Sequence, residues 1–525
     1  MILLLVTAIT VIGSIVFCSL DRGPNLDDLL TRSVGGGAAV EKLSHISTFY
    51  MAGNVLLNGM SGRFEQYVAT PDKIRFEITF ASFSLVQGFD GHLAWQRDHN
   101  GMVNELSGYE KSTLLSQAYF LTYSPLFEDR MPGGREYLGT EERNGEVFHK
   151  VAFYPLHQDT VFSFFDLQTS LQRYDVLYLD NLETITEYLS HTVHEGVTMA
   201  FISRATAPAA QITAELTVDT IAFNAEFDQS IFLRPQPHID YRFPEGSDSV
   251  LIPFTFLDGH IYVPAEVNGR RFVFILDSGA SSNFFHRSVQ DELGLPVVGS
   301  LAAIGVAGYD EIALVRTDSV VIGDLVLLAQ VGGSLDLTAI GRNWSGDVPF
   351  GGLLGYDFLS RFPVLIDYES RTLTVYNPDN FYPQPGGVAI PFELTMQIPT
   401  VEAELVGLPG RFLVDLGNAF ELIVHDDFRE KHDLENRLTE VRDISQTIGG
   451  VGGGVRGKTG LAAMFVLGDI QVTDLRVMLP DSAGGLTGSV ALAGNIGNLM
   501  LQEFRVLFDY SGQRLVLYDP IRTGD

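Results

Sequence analysis

Residues 272–281 read Phe-Val-Phe-Ile-Leu-Asp-Ser-Gly-Ala-Ser, an apolar run that ends in Asp277 at the mouth of a glycine turn. Residues 412–419 read Phe-Leu-Val-Asp-Leu-Gly-Asn-Ala and put Asp415 and Gly417 at the matching places. A short continuous apolar run predicts a strand buried on both faces. A glycine two residues after each aspartate predicts a backbone that turns tightly and passes close to another part of the chain.

Working outward, the two stretches belong to a longer repeat. Ile252-Pro253-Phe254 recurs 138 residues later as Ile390-Pro391-Phe392, and the same offset carries Val263, Ala265 and Glu266 onto Val401, Ala403 and Glu404. It also carries Asp277 onto Asp415 and Gly279 onto Gly417. Further on the offset becomes 142, matching Val364-Leu365-Ile366-Asp367-Tyr368 to Val506-Leu507-Phe508-Asp509-Tyr510 and Leu373–Tyr376 to Leu515–Tyr518. A period this long is no solenoid; it predicts two copies of one compact β unit facing each other. Helix is scarce, with short candidates at residues 287–293 and 426–432.

Each copy also carries a later apolar element closed by glycine, Leu353-Leu354-Gly355 and Asn495-Ile496-Gly497. Together these residues resemble the pepsin-like and retropepsin-like aspartic peptidases over residues 250–520. The resemblance implies a mainly β fold of duplicated β-barrel lobes, 250–380 and 381–525, in a monomer whose lobes form an intrachain pseudo-dimer. It implies Asp277 and Asp415 as the catalytic pair, supported by Ser278, Gly279, Leu416, Gly417 and Asn418, with no cofactor and no metal. Two carboxylates about 3 Å apart repel by roughly 5 kcal/mol at an effective dielectric near 20. The pair therefore keeps one proton over a broad acidic range, as aspartic-protease dyads do. The family usually has Thr or Ser after each aspartate, whose hydroxyl bonds across to the other lobe. Ser278 keeps that group and Leu416 does not, a loss of about 1 kcal/mol that puts the activity of the second lobe in question.

A lid is expected from Gly305-Val306-Ala307-Gly308-Tyr309, with Tyr309 near the pair, and from its counterpart at residues 448–460, where Gly450, Gly452 and Gly453 lie. Gly452, Gly454 and Gly457 match the dinucleotide spacing G-x-G-x-x-G, but their flanks read as strands rather than a strand-to-helix junction. Ser281 and Ser282 read as turn residues. His191, His194 and Glu195 have a local metal-like spacing without further ligands and read as a solvated surface pair.

The rest of the 525-residue chain precedes the repeat. The net charge of −31 repels phosphate and argues against a nucleic-acid partner. With Cys18 as its one cysteine, the chain can form no intrachain disulfide. Residues 2–20 are uncharged and apolar, a signal peptide or membrane anchor, with Cys18 as a candidate lipidation site. Residues 21–37 read as a linker, and 38–235 as strands of one curved antiparallel sheet with a helix within 107–126. Residues 236–249, with Pro237 and Pro244, read as a second linker. Phe89–Trp95 (Phe-Asp-Gly-His-Leu-Ala-Trp), Tyr137–Glu141 (Tyr-Leu-Gly-Thr-Glu) and Phe165–Thr169 (Phe-Asp-Leu-Gln-Thr) resemble the LolA-like lipoprotein-handling domains. That resemblance implies a half-barrel with an apolar hollow able to take an acyl chain.

Two functions follow as expectations. One is an exported aspartic endopeptidase of the periplasm, cell envelope or exterior, acting on a peptide or protein substrate. The other is an inactive envelope protein that binds lipid, lipoprotein or peptide through the N-terminal sheet and the duplicated lobes.

Overall fold

Strand Arg270–Leu276 is buried without a break from Phe272 onward, which is why its sequence does not alternate. It runs between an antiparallel neighbour, His260–Val267, and a parallel one, Phe350–Leu354. In the second copy, Leu408–Asp415 lies between antiparallel Ile398–Leu405 and parallel Gly494–Gly497. These relations come from a computed structural model that describes residues 24–155, 160–180, 182–305, 308–444, 448–450, 453–481 and 485–518. The chain folds as two compact units, one ending at Pro237 and the other beginning at His238.

In the second unit the sequence repeat reappears as a repeat of strand register. Tyr262 faces Ile275 as Thr400 faces Leu413, both pairs displaced by the first offset. Leu276 faces Leu354 as Val414 faces Ile496, which fits once the four extra residues of the second copy have been passed. The lobes share a six-stranded sheet in the order Ser249–Pro253, Thr372–Tyr376, Val364–Asp367, Arg505–Asp509, Arg514–Tyr518, Val388–Pro391. At its centre Leu365 faces its own counterpart Leu507, and Val364 faces Phe508 as Ile366 faces Val506. Such self-complementary pairing places a pseudo-twofold axis between the two leucines. One continuous apolar core, from Ile252 and Phe274 to Phe412 and Leu517, fills both lobes.

The segment expected to be a linker at 236–249 is largely docked on the first lobe. Tyr241–Arg242 pairs with Leu325–Leu328, Tyr241 packs edge-on to Phe362 at 4.8 Å, and buried Asp240 accepts from Arg361 Nε at 2.8 Å. Its partners lie 84 to 121 residues away along the chain, so local composition gave no sign of them.

The first unit is a thirteen-stranded antiparallel sheet. Thr48–Leu57 stands at its middle, and successive hairpins lead outward to Val103–Glu105 at one edge. Helix Gly108–Leu121 then carries the chain to the other edge, Gly133–Arg143, from which hairpins return to Ile212–Phe223 beside the first strand. The Phe89-Asp90 and Phe165-Asp166 motifs close strands. The Asp90 carboxylate accepts from the amides of His92 and Leu93, and that of Asp166 from the Gln168 and Thr169 amides. Residues 21–37, expected as a linker, instead include helix Leu26–Ser33, which buries Leu29 and Leu30 in the sheet's core. Two apolar side chains in a polar stretch were enough to seat it, with Asn25 capping its N-terminus. Residues 2–20 and Cys18 lie outside the described residues. Among those described, no helix is long and apolar enough to cross a membrane.

Candidate active site

Each aspartate leaves its strand where a parallel neighbour holds it. The Asp277 amide donates to Leu354 O at 2.9 Å, and Asp415 stands opposite Gly497. The turns that follow are alike: the Gly279 amide donates to Asp277 Oδ1 and the Gly417 amide to Asp415 Oδ1, each at 2.8 Å. The glycines are needed for space. A Cβ on Gly279 would stand 2.3 Å from Asp415 Oδ1, and one on Gly417 would stand 2.5 Å from Asp277 Oδ1. Each turn is therefore packed against the carboxyl group of the other lobe. The two carboxyl groups lie close enough to act on each other's charge. Burial, and then the charge of Asp415, push the Asp277 carboxyl well above the ordinary carboxylate range, against the pull of the Gly279 and Gly417 amides.

The residues beside the aspartates divide the work unequally. Ser278, fully buried, donates from Oγ to Val414 O at 2.8 Å and accepts from the Leu416 amide at 3.0 Å, so one hydroxyl ties the lobes twice. Leu416 is fully buried and belongs to the apolar core, and its backbone is held instead of its side chain. Asn498 Nδ2 donates to Leu416 O at 3.2 Å and to Gly259 O of the first lobe at 2.9 Å, while the Tyr368 hydroxyl donates to its Oδ1. Asn418 donates to Asn495 O at 2.9 Å and accepts from the Phe420 amide at 3.0 Å, which stiffens its own lobe rather than bridging. Ser282 donates to Asp357 at 2.5 Å, in keeping with a turn residue.

Three residues near the pair were not singled out from the sequence. Asn495 donates from Nδ2 to Asp415 Oδ2 at 2.7 Å. His260 lies with Nε2 3.1 Å from Gly417 O, and burial lowers its pKa. Tyr510 is buried close to both aspartates, and its hydroxyl has no hydrogen-bond partner among the described residues. A signal existed for the first two, because each breaks the repeat: Leu353 stands where the second copy has Asn495, and Ile398 where the first has His260. Tyr510 matches Tyr368 in the repeat and gave none.

Gly305, Gly308 and Tyr309 fall on the hairpin of Val297–Ile304 and Tyr309–Arg316, closed by a bond of 2.7 Å from the Gly305 amide to Gly308 O. Its tip reaches the second lobe, where the Leu486 amide donates to Gly305 O at 3.0 Å. Gly450 and Gly453 face each other in a second hairpin, Ile448–Gly450 with Gly453–Val455, beside the helix Thr338–Gly341 of the first lobe. Gly452 and the side chain of Tyr309 lie outside what is described. Among the described residues no cluster of His, Cys, Asp or Glu could hold a metal ion. In the first unit His191 lines a cavity rather than the surface, His194 packs against Phe223 at 5.2 Å, and Glu195 pairs with Lys42.

Two β lobes that each end a buried strand in Asp-X-Gly and close on one carboxyl pair define an aspartic-peptidase fold. A family model described as aspartyl protease matches residues 263–358, which hold Asp277 and the Gly355 turn. The chain is similar to an aspartic proteinase from Irpex lacteus, with 14% identity, covering 52% of this chain and 97% of that one, at a TM-score of 0.34. It is similar also to a LolA superfamily protein from Nitrosomonas europaea, at 10% identity, 40% and 96% coverage and a TM-score of 0.30. A DUF1329 family protein from Desulfovibrio piger matches at 12% identity, 39% and 95% coverage and a TM-score of 0.29. No curated protein matches the chain.

Proposed function

We propose that the second unit is an aspartic endopeptidase that hydrolyses peptide bonds with a water activated between Asp277 and Asp415. The observation that carries this reading is the reciprocal packing of each Asp-X-Gly turn on the other lobe's carboxyl group. With one proton between them, the ionised carboxylate takes a proton from the water as its oxygen attacks the scissile carbonyl carbon. The protonated carboxyl gives its proton to the carbonyl oxygen. The gem-diol then collapses: the C–N bond breaks, the nitrogen takes the proton first drawn from water, and a diol hydroxyl returns its proton to the other carboxyl. The pair ends with the single proton it began with. The two hairpins supply the lid that excludes bulk water from this exchange. Leu416 is no obstacle in this account, because Ser278 alone bonds both Val414 and Leu416.

Cleavage of a mixed peptide library between pH 3 and 7, read by mass spectrometry beside Asp277→Asn and Asp415→Asn, tests the proposal. Products are expected from the parent and from neither variant. Equal products from all three would remove the pair from catalysis. A hydroxyl-bearing transition-state mimic such as pepstatin is expected to give a calorimetric signal that both variants abolish. An exported setting belongs to the same reading, supported by the apolar residues 2–20, and cell fractionation would check it.

A second reading concerns the first unit, where a cavity of about 320 Å³ is lined by Phe49, Phe64, Phe76, Phe153, Met199 and Val218 among others. We read it as a site for the acyl chain of a lipid or lipoprotein. A fluorescent fatty acid is expected to bind the full chain and to be excluded by Val218→Trp; equal binding by both would refute it.

A further inference from the structure

The carboxyl pair is symmetric in its turns and asymmetric in what lies beneath them. In the second lobe Asn495 donates from Nδ2 to Asp415 Oδ2 at 2.7 Å, so Asp415 accepts on both oxygens, from Asn495 and from the Gly417 amide. The equivalent position of the first lobe is Leu353, which faces Ile275 as Asn495 faces Leu413. Leucine has no donor, so no amide side chain reaches Asp277 from there. Asn495 is 6% exposed, and the Asn418 side chain donates to its main-chain carbonyl oxygen at 2.9 Å, which holds its backbone. Its side-chain Oδ1 has no hydrogen-bond partner among the described residues, so the bond to Asp415 is what orients the amide. The first lobe has Ala280 in place of Asn418 and repeats neither contact.

An N–H donor favours the ionised form of the carboxylate it serves. Were the Asn495 amide turned round, its oxygen would oppose a carboxylate oxygen unless Asp415 carried the proton. Amide orientation and proton position are therefore one choice. Resting on the peptidase reading, we infer that Asn495 is a positioning residue that makes Asp415 the ionised base and leaves the shared proton on Asp277. Asp415 then receives the proton of the attacking water, and Asp277 protonates the scissile carbonyl. Among the described residues, the titratable groups facing the pair are His260, on the strand against Gly417, and Tyr510, at the end of the shared sheet. Asp258 lies next to His260 and is exposed.

The test is Asn495→Leu, which installs the side chain of the first lobe, beside the reverse change Leu353→Asn. In the full chain, the acidic limb of kcat/KM is expected to move up by about one pH unit or more in Asn495→Leu, the size of one charge-assisted hydrogen bond. The shift must persist in a His260→Gln background, which removes the neighbouring imidazole. Leu353→Asn should instead lower the alkaline limb, by giving Asp277 a donor of its own. Infrared titration of the carboxyl C=O band, with Asp277→Asn and Asp415→Asn to assign it, reads the proton without turnover. It is expected to show Asp415 ionising first in the parent and later in Asn495→Leu. If Asp277 ionises first, or Asn495→Leu leaves the Asp415 midpoint in place, the inference falls. A parent that cuts no peptide but shows that infrared pattern would sink the peptidase reading alone.

Discussion

Ser278→Ala removes a single buried oxygen and tests how the lobes are joined. That oxygen donates to Val414 O at 2.8 Å and accepts from the Leu416 amide at 3.0 Å, and all three residues are fully buried. Alanine fits the same space, so no cavity of consequence forms, but the Leu416 N–H is left in an apolar core and Val414 O loses an acceptor bond. An orphaned buried polar group costs about 1–3 kcal/mol, so the two together come to about 2–6 kcal/mol, with no hydroxyl at position 416 to take over. In a unit of this size that lowers the melting temperature by about 3–10 °C. The chain has two tryptophans, Trp95 in the first unit and Trp344 in the second, so a Trp95→Phe background lets Trp344 fluorescence report the lobes alone. Thermal melts followed in that background, with Ser278→Thr as the conservative control, are expected to place alanine well below the parent and threonine near it. An alanine variant that melts with the parent would mean the hydroxyl does not hold the lobes, and the account of how the chain tolerates Leu416 would fail with it.

Gly279→Ala and Gly417→Ala should each abolish peptide cleavage, because the new Cβ would stand 2.3 Å and 2.5 Å from a carboxylate oxygen of the opposite lobe; turnover close to that of the parent in either would contradict the packing. Asp277 binds its proton more tightly folded than unfolded, mainly through burial. Its contribution to stability is thus complete below the unfolded carboxyl pKa of about 3.9 and is lost as pH rises through the higher folded value. Denaturant melts of the second unit should show stability falling from acid toward neutral pH. Asp277→Asn, which does not titrate, should flatten that slope and leave the variant the more stable at pH 7; an unchanged slope would refute the assignment.

The duplication could be read from the chain because equivalent strands must bury equivalent side chains, and so Ile252 and Ile390, or Val364 and Val506, stay apolar at a constant spacing. The aspartates could be read because a glycine must follow where two turns meet. The strands of the first unit could be read from their alternation, since one face of Lys73–Phe80 is buried and the other is not. Other features depend on residues far apart in sequence. Helix Leu26–Ser33 is held by two leucines packed on distant strands, and Asp240 by Arg361.

What the sequence by itself determined is the pairing of two β lobes around two aspartates, because hydrophobic period and glycine placement are local properties that survive in one dimension. Only the tertiary structure decided that Ser278 serves both lobes, that Asn498 ties Gly259 to Leu416, and that Asn495 sets Asp415 apart from Asp277. Hydrogen bonds between residues 80 to 239 positions apart depend on where the folded backbone brings donor and acceptor, and no local pattern encodes that.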